Sequence, residues 1–93
     1  METYAILRRN AWQTPDELGE AGKRSGEIAE AEFPDDIFWI RSYALEEKDG
    51  TVGTVCIYKA SGPQAVRDHA ERVGMPVTEI IPVGDTIVVH PDP

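Results

Sequence analysis

The sequence predicts an α+β fold in the order β-α-β-β-α-β, with an antiparallel sheet and two helices on one face. Three observations carry that expectation. Asp49-Gly50 lies between two β-rich runs, Thr14-Pro15-Asp16-Glu17 has the make-up of a helix start, and Pro63 opens a second helical stretch that Gly74 ends. Asp-Gly in such a setting marks a hairpin, because glycine tolerates the positive φ that the turn demands. The order is the split pattern of the ferredoxin-like fold.

Glu2 to Arg9 alternates, with Tyr4, Ile6 and Arg8 on one side and Thr3, Ala5, Leu7 and Arg9 on the other. That period of two predicts the first strand. Thr14 can then cap a helix, Pro15 suits its first position, and Glu17 completes a capping box. The helix is expected to run to about Glu30, with Leu18, Ala21, Gly22, Ser25, Ile28 and Ala29 along one face. Glu20 and Arg24 are spaced to pair across one turn. Its inner face is small in volume, so the helix either approaches the sheet closely or leaves space for a ligand.

Pro34-Asp35-Asp36 breaks the helix, and Ile37 to Glu47 and Thr51 to Lys59 read as strands joined through Lys48-Asp49-Gly50. A second helix begins at Ser61 or Gly62 and presents Val66, His69, Ala70 and Val73 inward. Met75-Pro76 forbids its continuation. Val77 to Ile81 and Thr86 to His90 form the last extended region, and residues 1–93 read as one domain.

With Asp49 and Gly50 as the two central turn residues, Leu45 falls opposite Thr54, Tyr43 opposite Cys56 and Arg41 opposite Tyr58. Trp39, Arg41, Tyr43, Leu45, Thr54, Cys56 and Tyr58 then share one sheet face, and Phe38, Ile40, Ser42, Ala44, Val55 and Ile57 share the other. The aliphatic set suits packing under small-residue helices. The aromatic set would leave an apolar patch, which a second copy stacked across a two-fold axis would cover. Trp39, Arg41, Tyr43, Cys56 and Tyr58 are therefore candidate interface residues and, in a pocket between copies, candidate ligand contacts.

Composition bounds the function. The 93 residues are 41% hydrophobic and 28% charged, within the range of ordered domains, and their size favours self-association. The net charge of −8 disfavours nucleic acid and anionic membrane as partners. No apolar run reaches spanning length, no signal-peptide pattern opens the chain, and Cys56 is the only cysteine, so a reducing cytoplasm is expected.

Trp39-Ile40-Arg41-Ser42-Tyr43, Cys56-Ile57-Tyr58, and Pro63 with Ala65-Val66-Arg67 and His69-Ala70 form a recurring set. Together with Gly74-Met75-Pro76 and Glu79-Ile80, they resemble a small ferredoxin-like uncharacterised-domain family that includes nickel-binding members. The likeness spans roughly Trp39 to Pro82. It implies a dimeric α+β barrel and the binding of nickel, another divalent transition metal or a small ligand. Nickel-binding relatives carry more histidines than this chain, and no ligand set is carried over.

His69 stands on the inner helix face where an apolar residue is expected. It is the candidate catalytic base and the candidate metal ligand, with a core histidine bonded to a carbonyl or tyrosine as the structural alternative. Cys56, mid-strand, lacks a helix N-terminus to activate it and reads as a small buried hydrophobe. His69 and the Cys56 face are expected on opposite sides of the sheet. His90 reads as an exposed tail residue. No Gly-rich phosphate loop, nucleophile elbow or His-x-x-x-His pattern occurs. Three functions remain: a homodimeric small-ligand or nickel-type metal-binding protein, a cofactor-independent enzyme (isomerase, cyclase or monooxygenase type) using His69 as base, or an assembly subunit.

Overall fold

The computed structural model describes residues 1–92. Its elements are β1 (Glu2–Trp12), α1 (Pro15–Glu32), β2 (Ile37–Glu46), β3 (Val52–Ala60), α2 (Pro63–Val73) and β4 (Glu79–Pro82). The strands form one sheet in the order β2-β3-β1-β4, antiparallel throughout. The βαββαβ order and the ferredoxin-like α+β class are as the sequence predicts.

The core lies between the sheet and the two helices. Tyr4 and Ile6 of β1, Ile37 of β2, and Cys56, Tyr58 and Ala60 of β3 meet Ala29 of α1 and Val66 of α2. Both helices therefore cover the same sheet face. The Thr14 hydroxyl accepts from the Glu17 N–H at 3.2 Å, while the Glu17 carboxylate reaches back to the Gln13 N–H at 2.7 Å. This secures the predicted start of α1. Gly74, at φ +88°, closes α2 by donating to the Ala70 carbonyl.

The hairpin differs from expectation by one residue. Gly50, at φ +87°, donates to the Glu47 carbonyl, and Glu47 in turn donates to the Thr51 carbonyl, both at 3.1 Å. The loop thus has three residues, Lys48, Asp49 and Gly50, in a turn closed by a left-handed glycine. Leu45 consequently pairs with Gly53, Ser42 with Cys56 and Arg41 with Ile57. A second irregularity follows at Ile40: Trp39 pairs with Tyr58 while Arg41 pairs with Ile57, leaving one extra residue on β2. Trp39, Ser42 and Ala44 join Thr54, Cys56 and Tyr58 beneath the helices, whereas Arg41 and Tyr43 lie with Ile57 on the opposite face. The single aromatic face expected from a two-residue loop does not form, because one residue of slip exchanges the faces.

Three smaller corrections follow. β1 extends to Trp12, with an irregularity after Arg8 and Asn10 at φ 50°. Residues 86–90 form no strand, and Ile87, Val88 and Val89 are exposed. Arg24, expected to pair with Glu20, instead donates from Nε to the Val73 carbonyl at 3.0 Å and ties α1 to the end of α2.

Candidate functional site

The small inner face of α1 resolves the choice left by the sequence: space is left, and one aromatic ring occupies part of it. Trp39 lies against Gly22 and Gly26. Beside it a cavity of about 240 Å³ opens between α1 and the sheet. Leu18, Gly22 and Ser25 form its helical wall, and Trp39, Ser42 and Ala44 come from β2. Thr54, Cys56 and Tyr58 of β3 line it from the sheet with Arg8 of β1, and Trp12 and Met75 complete the lining. Both of the chain's tryptophans line this space.

Arg8 is the unusual member. Its side chain follows Tyr4 and Ile6 along the inward side of β1 and is 0% exposed. Nη1 donates to the Pro76 carbonyl at 2.8 Å, but Nε and Nη2 have no partner. Among the described residues no carboxylate pairs with it. Arg9, the next residue, shows the contrast: its Nε and Nη2 grip the Glu47 carboxylate at 3.0 and 2.8 Å on the outside.

Ser25 links two further groups. Its hydroxyl lies 3.5 Å from the Tyr58 hydroxyl, where either can donate. Burial pushes the Tyr58 phenol above its ordinary pKa, against the opposing pull of Ser25 and the Arg8 charge. The Ser25 carbonyl accepts from His69 Nε2 at 3.0 Å, which places the proton of the neutral ring on Nε2. His69 Nδ1 has no partner. Desolvation lowers the His69 pKa, the Arg8 charge adds to that, and the Ser25 carbonyl opposes it.

The structure separates the residues singled out by sequence. Trp39, Cys56 and Tyr58 line the cavity, and the Cys56 thiol donates to the Thr54 hydroxyl at 3.4 Å. His69 lies on their side of the sheet, not across it, with its ring centroid 6.0 Å from that of Tyr58. It is 0% exposed, stands edge-on to Phe33 and does not line the cavity. Arg41 and Tyr43 lie on the other sheet face, where both donate to the Asp92 carboxylate. Sequence reasoning missed Arg8, Trp12 and Ser25 as site residues. The available signal was an arginine continuing the Tyr4, Ile6 alternation, where a third apolar residue is expected.

Nickel finds no fitting site among the described residues of one chain. Among the described residues no three His, Cys, Asp or Glu side chains gather to hold a metal ion. The unpartnered nitrogen of His69 is sealed in the core and feels the positive charge of Arg8.

A four-stranded antiparallel sheet and two helices on one face define a ferredoxin-like α+β fold, with a cavity between α1 and the sheet. The chain belongs to the family described as "Nickel responsive protein SCO4226-like", which matches residues 4–83. The crystal structure of SCO4226 from Streptomyces coelicolor A3(2) is similar in fold, with a TM-score of 0.72 at 20% identity, covering 91% of this chain and 99% of that one. No curated protein matches. Among the described residues no helix is long and apolar enough to cross a membrane.

Proposed function

We propose that this protein is a small-molecule binding protein whose ligand occupies the cavity between α1 and the sheet. The observation that carries this reading is a space of about 240 Å³ walled by Trp12, Trp39, Leu18, Ala44 and Met75, with hydroxyls of Ser25, Thr54 and Tyr58 inside. Binding sites are typically apolar concavities with a few placed polar groups. The volume exceeds the ~150 Å³ of a cavity that takes up benzene, so one ring and a substituent fit. Both tryptophans report on occupancy. Titration with phenylacetamide, a neutral ring compound, should give a saturable change in tryptophan fluorescence, lost when Gly22→Leu fills the space. Failure of any single-ring probe, neutral or charged, to saturate would remove the reading.

The working form is a homodimer joined through the sheet face opposite the helices, beside the C-terminal segment that Asp92 ties to Arg41 and Tyr43. Phe38, Ile40, Tyr43 and Ile81 are exposed there, Phe38 at 59%. Covering such a surface is the usual reason for a small sheet to pair. Sedimentation velocity at micromolar concentration should give a dimer, and Phe38→Lys should give a monomer; a wild-type monomer would end this part of the reading. A single buried free thiol, Cys56, supports a reducing compartment such as the cytoplasm.

The family description favours nickel as a second ligand, with donors gathered from two copies because the described residues of one chain supply no cluster. Calorimetric titration of nickel into untagged protein, repeated with His69→Ala and His90→Ala, tests it. No saturable heat would exclude it.

A further inference from the structure

We propose that the cavity ligand is a small organic carboxylate with an apolar or aromatic body, held by Arg8. This rests on the cavity reading above and names the chemistry that would be selected. A fully buried guanidinium with two unpartnered nitrogens is costly, since each lost partner forfeits the compensation for desolvation. Such a group in a folded protein calls for an explanation.

Nε–H and Nη2–H share one edge of the planar guanidinium; neither makes a hydrogen bond of normal geometry, and the Tyr58 hydroxyl is the polar group that lies near Arg8. That edge is the fork that matches the two oxygens of a carboxylate. Nη1 is already committed to the Pro76 carbonyl, which fixes the plane and orients the fork before any ligand arrives. Arg8 lines the cavity, and among the described residues no carboxylate lines it or pairs with Arg8. The hydroxyls of Tyr58 and Ser25 line the same space and can donate to a carboxylate oxygen. Apart from Ser42 and Thr54 the rest of the wall is apolar, with the two indoles as stacking or edge partners for a ring.

The proposal separates cleanly from the general one when matched probes are compared. Phenylacetate and phenylacetamide have nearly the same shape and differ in charge. Wild-type protein should bind phenylacetate at least about tenfold more tightly, as expected for a bidentate charged bond in a largely apolar site. Arg8→Met should abolish that preference while retaining phenylacetamide binding, and Arg8→Lys should retain only part of it. Equal affinity of the two probes for the wild type overturns the carboxylate assignment and leaves the cavity reading standing. A preference that persists in Arg8→Met overturns the role of Arg8. If neither probe saturates, both readings fall. The wild-type comparison decides the matter even if Arg8→Met does not fold.

Discussion

The Trp39 indole lies against α1 where Gly22 and Gly26 leave its surface bare; a Cβ on either glycine would meet the ring at 3.7 Å. That is ordinary contact distance. The glycines are therefore not forced by the ring, and their helical positions carry an entropic cost relative to alanine.

Gly26→Ala should stabilise the protein by about 0.5–1 kcal/mol, measured by urea unfolding. Gly26, unlike Gly22, does not line the cavity, so probe binding should be unchanged. A loss of stability would show that the indole is wedged more tightly than the distance implies.

Gly53→Ala should do the reverse. A Cβ there would lie 2.6 Å from the Arg8 carbonyl and 2.7 Å from the Glu47 carboxylate. Relief requires moving backbone and disturbing the Arg9–Glu47 pair, so a loss of about 1–3 kcal/mol is expected. An unfolding midpoint equal to the wild type would contradict the close approach of β1 and β3.

Arg8→Met should raise the stability of the unliganded protein by about 1 kcal/mol or more, because an uncompensated buried charge is replaced by an apolar chain of similar length. The Pro76 carbonyl loses one bond, a smaller effect at this partly buried position. A thermal melt that shows clear destabilisation would mean that the guanidinium is satisfied in the free protein. Residues kept for binding commonly lower stability in this way.

Stability should fall on mild acidification. His69 is held neutral by burial, so its folded pKa lies below the ordinary imidazole value of about 6.5. The unfolded chain then takes up the proton first. Stability is complete above about pH 6.5 and declines as pH drops below it. Melts from pH 7.5 to 5.5 should show this slope in the wild type and a flatter one in His69→Leu. Glu47, whose carboxyl is held low by Arg9 and the Asn10 N–H, adds a separate loss only near and below about pH 4. A wild-type profile flat to pH 5.5 would contradict a sealed, neutral His69.

The sequence alone determined the order of elements, because each boundary is written in local chemistry: Thr14 and Pro15 open one helix, Gly74 closes the other, and Asp49-Gly50 turns the hairpin. It also determined the composition of the inner face of α1, whose small side chains left a choice between close packing and a cavity. Tertiary structure decided which side chains meet. Whether Asp49-Gly50 closes a two- or three-residue loop is settled by pairing across β2 and β3, and that one residue moved Arg41 and Tyr43 away from Trp39, Cys56 and Tyr58. The extra residue at Ile40 then returned Trp39 to the face of Tyr58. Arg8 became a buried cavity residue only when α1 and the Met75-Pro76 segment closed over β1, since an alternating strand shows which residues share a face but not what will cover them.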